Sequence, residues 1–374
     1  MDKKLNIPSV QEAMERVGLN PATIAGELEV SRAAVSKWLA GSSFPRPNKL
    51  LKLALLLGLK LNDLVEKTSN SDEPIVAFRK RGATKTTAEH IAHAKEIGYL
   101  LKPLVPYLPF DQFKKPSTLK HPSTDYSYLQ KLAIQVRQEM FVSQSDVLDF
   151  GHIIKGFADK QVVLVPVLWG KKDKHNNAIH IFLPDSMTTW VFLNLDVEIH
   201  DFKFWMAHEL GHVLAPELSD DTGEDFADDF AGALLFPEVL AKEAHRVISH
   251  SRGEGKQINQ IIKIAEEHLI SPITVYSEVN KYAVHHSKKA IALGNNLYGT
   301  AKNLSKKYKI VSHSIFAGEK PAAKDYIQFA HNFDSPFFEV LVKYLKKENK
   351  EAGYISSVLD IPLHDAREIF TTLL

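Results

Sequence analysis

Apolar positions recur at helical spacing through residues 10–65, broken by short polar turns. Asn20 followed by Pro21 forms an N-cap with proline at the first helical position. Ile24, Ala25 and Leu28 then give that helix an apolar face. After a tight turn Ser31 caps a second helix, RAAVSKWL, with Ala34, Val35 and Trp38 turned inward and Gly41 ending it. The run FPRPNKLLKLALLLGL supplies further helix with a Leu-rich buried stripe.

A polar stretch at 66–75, EKTSNSDEPI, interrupts this pattern and marks a domain boundary. The basic run after it carries Arg79, Lys80, Arg81 and Lys85, and a solvated connector explains it better than a nucleic-acid footprint. Residues 86–107 have the spacing of one long amphipathic helix, and a Pro/Ser/Thr-rich loop leads on to Tyr126. From there the pattern predicts a helix over LQKLAIQVRQEM and a second, capped by SQSD, ending near Ala158. Strands follow at QVVLVPVLW, AIHIFL and TTWVFLNL, with a polar turn at KKDKHNN between the first two.

Two helical patterns come next, FKFWMAHELGHVLAPE and GEDFADDFAGALLFP. In the second, Phe226, Ala227, Phe230, Ala233 and Leu234 share a face and Pro237 ends the run. INQIIKIAEEHLISPITVYSEVNKY pairs two helices around Ile270-Ser271-Pro272. The tail gives three amphipathic helices, to be covered by the rest of the fold, a partner or a second copy in a homodimer. The fold class is α+β and mostly helical. Four regions are expected: an all-α domain at 1–67, a linker and connecting helix at 68–125, a body with a small sheet at 126–285 and a helical C-terminal region at 286–374.

Composition changes this picture in three ways. The 374 residues suffice for two or three domains, and 44% hydrophobic with 24% charged residues is ordinary for a soluble protein. A formal net charge of +1 supplies no global attraction to nucleic acid or membrane, so any DNA binding must be local. Cysteine is absent, which excludes disulfides, thiol catalysis and Cys-ligated zinc and makes a reducing cytoplasm the simplest home. The opening MDKKLNIPSVQEAMERV has no apolar core of signal-peptide length, and LLKLALLLGLKL is too short to span a bilayer. An intracellular protein without a membrane partner is expected.

The chemistry is concentrated at HELGH. On a helix His208 and His212 lie one turn apart on one face, so two imidazoles can grip one zinc ion while Glu209 reaches a metal-bound water. Glu224 and Asp228 are again one turn apart on the next helix. Glu224 can complete a two-His, one-Glu metal site with a position open for water, and Asp228 can orient a ligand histidine from outside. A helix whose histidines merely sit on its polar side explains neither carboxylate.

The run AHELGH followed by Glu224, Ala227, Phe230, Ala231, Leu234, Leu235 and Pro237 resembles the ImmA/IrrE family of zinc metallopeptidases over roughly residues 130–285. The resemblance implies His208, His212 and Glu224 as zinc ligands, Glu209 as catalytic base, a zincin-like fold and a repressor or antitoxin-like protein as substrate. Asp228 stands where the family often has Asn, which resembles the gluzincin pattern. The segment around Ser271-Pro272, though helix-turn-helix in outline, packs on the catalytic core in that family. In a zincin-like sheet an edge strand can pair with an extended peptide, and the pattern does not say which strand that is.

Near the N-terminus, LNPATIAGELEVSRAAVSKWLAG is similar to Xre/Cro-like helix-turn-helix repressors, with the recognition helix at 31–39. That implies double-stranded DNA as a partner of residues 1–67, with Arg32, Ser36 and Lys37 at base edges and Arg46, Asn48 and Lys49 at phosphates. Pro21 stands where the family usually has Gln, and Glu29 where the turn usually has Gly. Both departures favour the rival of a helical docking module.

His175, His180, His200, His245 and His250 are expected to be ordinary packed or polar histidines rather than a fourth ligand. His245 and Arg246 are minor candidates for stabilising an oxyanion. The Lys-rich run KNLSKKYK is a candidate weak anion patch. The alternative function is a non-catalytic DNA-binding regulator or antitoxin-like protein with a structural zinc.

Overall fold

Side-chain oxygens start the helices of the N-terminal unit. Asn6 caps α1 (Ile7–Val17), and Asn20 accepts from the backbone N–H of Ala22 and Thr23 at 2.9 and 3.0 Å to open α2 (Pro21–Glu27). Ser31 accepts from Ala34 N–H to open α3 (Arg32–Leu39), and α4 (Pro47–Leu57) follows. Their apolar faces meet in one core that includes Val10, Ile24, Leu28, Val35, Trp38, Leu53 and Leu57. The computed structural model describes residues 5–45, 47–59, 64, 73–77, 88–109, 118–170, 178–216, 218, 220–317 and 320–374. The basic run at 79–85, the turn KKDKHNN with His175, and residues 66–72 lie outside these. The chain divides into two compact units, Met1–Asp72 and Glu73–Leu374.

The second unit is built on a four-stranded sheet of order β1-β3-β4-β2. Its strands are β1 (Ile75–Ala77), β2 (Val162–Val167), β3 (Ala178–Leu183) and β4 (Thr188–Asn194). β3 and β4 form an antiparallel hairpin with Ile181 opposite Trp190, β2 runs parallel to β4, and β1 lies antiparallel along the other side of β3 with Ala77 opposite His180. The edges are therefore β1 and β2. Alternation sorts the side chains into two cores. Val162, Leu164, Ala178, Val191 and Leu193 face one, while Val163, Val165, Val167, Ile179, Ile181, Trp190 and Phe192 face the other.

The far face is covered by α5 (Ala88–Leu101) and by helices from the end of the chain. The sequence suggested one helix to residue 107, but the chain tightens into a 3-10 turn over Lys102–Tyr107. Pro103 and Pro106, having no N–H, cannot continue the α-helical ladder. On the near face come α6 (Tyr126–Glu139) and α7 (Phe150–Ala158). Asp149 caps α7 through a reciprocal box with His152, three residues beyond the expected SQSD cap.

The near face also receives α8 (Ile199–Leu214), α9 (Asp220–Leu235), α10 (Glu238–His250), α11 (Glu254–His268) and α12 (Pro272–His285). The pair α11–α12 thus packs in this core, and α13 (Gly294–Ser305) and α14 (Val311–Ile315) lie beside it. The chain then crosses the sheet through α15 (Ala323–Ala330) to α16 (Phe337–Lys347), α17 (Ala352–Leu359) and α18 (Leu363–Leu373). These helices bury Phe337, Leu341, Ile355, Val358 and Ile369 against the far face. The region expected at 68–125 thus supplies β1 to the sheet of 126–285, and helices of 286–374 pack on that sheet, where the tail's apolar faces are covered.

Tyr326 and Ser335 donate to the outward carbonyls of Pro166 and Leu164, each at 2.5 Å, so hydroxyls occupy the free edge of β2. Trp169 donates to Leu359 O at 2.9 Å. Among the described residues no helix is long and apolar enough to cross a membrane.

Two buried cations join helix ends. Arg137 donates to the carbonyls of Leu234, Ser143 and Asp146, tying the end of α9 to α6. Burial lowers its pKa to about 10, so it stays charged. Lys203 on α8 is 1% exposed and donates to His268 O at 2.7 Å, the carbonyl that ends α11. Burial lowers Lys203 from 10.5 to about 8, against the pull of Asp149 and with the push of Arg137. Between those values the unfolded chain holds more protons, so stability rises with pH across that window. Lys203→Met should lessen that rise by about 2–3 kcal/mol, measured as urea unfolding at pH 7.5 and 10.5. Parallel curves for both proteins would refute the assignment.

Candidate metal centre and helix-turn-helix

α8 and α9 cross so closely that a methyl group at Gly211 would sit 3.0 Å from Ala227 Cα and 3.2 Å from the Phe230 ring. Glycine at this place, one residue before His212, lets the two helices approach and carries Glu224 over the histidine face. His208 Nε2 and His212 Nε2 are 3.1 Å apart, Glu224 Oε1 is 3.3 Å from His212 Nε2, and Glu224 Oε2 is 3.6 Å from His208 Nε2. Ligands bonded tetrahedrally at ~2.0–2.1 Å stand ~3.4 Å from one another, so these atoms have the spacing of three corners around one ion. Among the described residues they form the one group of His and acidic donors able to surround a cation.

Asp228 lies one turn beyond Glu224, its Oδ1 2.8 Å from His208 Nδ1. A carboxylate only accepts, so His208 carries its proton on Nδ1 and turns the lone pair of Nε2 towards Glu224. Burial works to lower the His212 pKa, but the bond to Glu224 and the charges of Glu209, Glu224 and Asp228 outweigh it and the net shift is upward. The pocket's field thus favours a positive charge. Glu209 is 1% exposed beside the first histidine.

β3 adds a group that the sequence offered only as an ordinary packed or polar histidine. His180 is buried with its Nδ1 3.8 Å from Glu209 Oε2, and its ring meets His212 edge-on with centroids 5.9 Å apart. Burial, then the neighbouring His212 and His208, hold its pKa down at about 3, so it is neutral. A polar residue between Ile179 and Ile181, on the helix-facing side of an apolar strand, was the signal available in the sequence.

In the N-terminal unit Arg32, Ser36 and Lys37 lie exposed on one side of α3, opposite the buried Val35 and Trp38. Glu29 turns the chain between α2 and α3 at φ 51°, a conformation that costs a non-glycine residue about 1 kcal/mol or more. Residues 10–64 match the family model described as helix-turn-helix. The N-terminal part of the chain is a helix-turn-helix. No curated protein matches the chain, and no solved structure does.

Within the helix-turn-helix, Lys49, expected at a phosphate, is engaged by the unit itself. Its ammonium donates to Leu28 O at 2.7 Å and lies 3.9 Å from Glu29, because the end of α2 and the Glu29 carboxylate offer it nearer negative charge. Arg46 and the side chain of Asn48 lie outside the described residues. In the second unit the oxyanion candidates are engaged elsewhere. His245 Nε2 lies 3.0 Å from Lys289 O, and Arg246 is exposed and paired with Glu243. His200 stacks on Tyr308, and His250 lies against Arg246 O.

Gly211→Ala should destabilise the second unit by about 1–3 kcal/mol, although alanine is the better helix former. Urea unfolding measures this, and an unchanged or raised midpoint would show that the α8–α9 contact is not as tight as described.

Proposed function

We propose that the second unit is a zinc-dependent peptidase of the ImmA/IrrE kind, with a zincin-like fold, and that its substrate is a repressor or antitoxin-like protein. The observation carrying this reading is the set of three donors on two helices with Glu209 beside them. Two imidazoles and one carboxylate are a zinc-type donor set, and Asp228 presets the tautomer of His208. Zinc held by His208, His212 and Glu224 would lower the pKa of a water and polarise the scissile carbonyl.

The chain's own part is proton transfer and positioning. Glu209 takes a proton from the attacking water and passes it to the amide nitrogen as the C–N bond breaks, leaving a carboxylic acid and an amine. A structural zinc is closed by four protein ligands and has no use for a base, so three donors plus Glu209 favour turnover over the purely structural alternative.

We further infer that the helix-turn-helix binds double-stranded DNA through α3, so that the chain joins operator recognition to removal of a partner under stress. Arg32, Ser36 and Lys37 are the exposed contacts, and Lys49 serves the unit's own packing.

Co-expression with the protein encoded next door is the deciding experiment. Wild type should deplete the intact neighbour and Glu209→Gln should spare it while still holding zinc. Cleavage by purified Glu209→Gln would refute the base, and full zinc content in His212→Ala by elemental analysis would refute the site. On a duplex from upstream of the gene, Arg32→Ala should weaken binding by about 1–3 kcal/mol. Lys49→Ala should instead lower thermal stability and leave the salt dependence of binding unchanged. Equal salt slopes for Lys37→Ala and wild type would count against α3 as the contact.

A further inference from the structure

His180 occupies a guarded position. Its backbone sits in the middle of the sheet, opposite Ala77 of β1 on one side and Val191 of β4 on the other. A side chain on such a strand has little freedom to move. Strand alternation sends Ile179 and Ile181 to the far core and His180 to the helix side. There it is 4% exposed, and its Nδ1 has no hydrogen-bond partner among the described residues. Buried polar atoms are rarely left so, and each such case calls for a reason. His180 stands outside the group of three donors formed by His208, His212 and Glu224.

The acidic atom in reach is Glu209 Oε2, 3.8 Å away. That is too long for a hydrogen bond, and a movement of about 1 Å makes it a charge-assisted one. Bonds between catalytic groups often tighten only in the working complex.

We propose that His180 is the positioning residue for Glu209: its Nδ1–H bonds Oε2, fixing the carboxylate and leaving the other oxygen to take the proton. The arrangement mirrors the pair beside it. Asp228 orients a histidine that holds the metal, and His180 orients the carboxylate that moves the proton. This inference rests on the reading of Glu209 as the base, and a bare packing role for His180 is its competitor.

The first test needs no substrate. In the zinc-loaded protein labelled with ¹⁵N-histidine, His180 should be the Nδ1–H tautomer, with a proton resonance that moves in Glu209→Gln. An Nε2–H tautomer, or a resonance indifferent to Glu209→Gln, overturns the proposal. The second test compares His180→Leu with His180→Asn, whose amide can donate from nearly the same place as Nδ1. Against the neighbouring-gene protein, Leu should lower kcat by about 10–100-fold with KM and zinc content unchanged, and Asn should restore most of it. Loss of zinc in either variant, or an undiminished kcat in His180→Leu, overturns it as well. A wild-type protein that takes up no zinc or cleaves nothing fails the peptidase reading instead, and the tautomer measurement still decides the His180–Glu209 bond.

Discussion

The close crossing of α8 and α9 is the constraint on which the second unit depends. Each helix alone carries half a site: two imidazoles and a carboxylate on one, two carboxylates on the other. Only when Gly211 lets the backbone at Ala227 come near do the Glu224 oxygens fall within 3.6 Å of both imidazole nitrogens. The contact also explains the company these residues keep. Phe226, Phe230 and Leu234 on α9 and Met206, Leu210 and Val213 on α8 join the same core. His208, His212 and Glu209 are thereby held in low-dielectric surroundings, where the pairing of Glu224 with the imidazoles is stronger than in water, while Asp228 reaches His208 from the solvent side.

Charge placement follows from that burial. Inside the second unit, buried cations answer carbonyls at helix ends, Arg137 for α9 and Lys203 for α11. The candidate centre is the reverse case, three carboxylates around two imidazoles, with the field of a cation site. In the N-terminal unit Lys49 serves the end of α2 in the same way, leaving α3 to present Arg32 and Lys37 outward. Helix-end carbonyls thus draw Lys49 and Lys203 inward, whereas Lys281 turns to the carboxylates of Asp229 and Glu278.

What was legible in the sequence was local. His208 and His212, or Glu224 and Asp228, share a face because four residues make about one helical turn, and Asn20 and Ser31 cap because their oxygens reach the next two or three N–H groups. The turn at Glu29 stood out only through the resemblance, as a residue where such turns usually have Gly. The placement of His180 was not legible, since it depends on strand register and on which helix crosses that face, both long-range facts. The resting place of the last helices was equally hidden: three amphipathic patterns state that an apolar face exists and never what it meets. The bond of Lys49 to Leu28 O was hidden too, since a lysine near a predicted DNA-binding fold reads alike whether it points to solvent or to a carbonyl 21 positions away in the chain.

The hydroxyls of Tyr326 and Ser335 on the outer carbonyls of β2 have a consequence for the integrity of the protein as a whole. A bare strand edge beside an uncovered apolar face is a template for aggregation. The segment that supplies those hydroxyls is the same one that lays Phe337, Leu341 and Val358 over the sheet. Losing it by proteolysis or premature termination would uncover both hazards at once, and would also take Phe333 from its place against Phe202 of α8. The segment from Ala323 to Leu374 thus guards the sheet against self-association as well as completing its core.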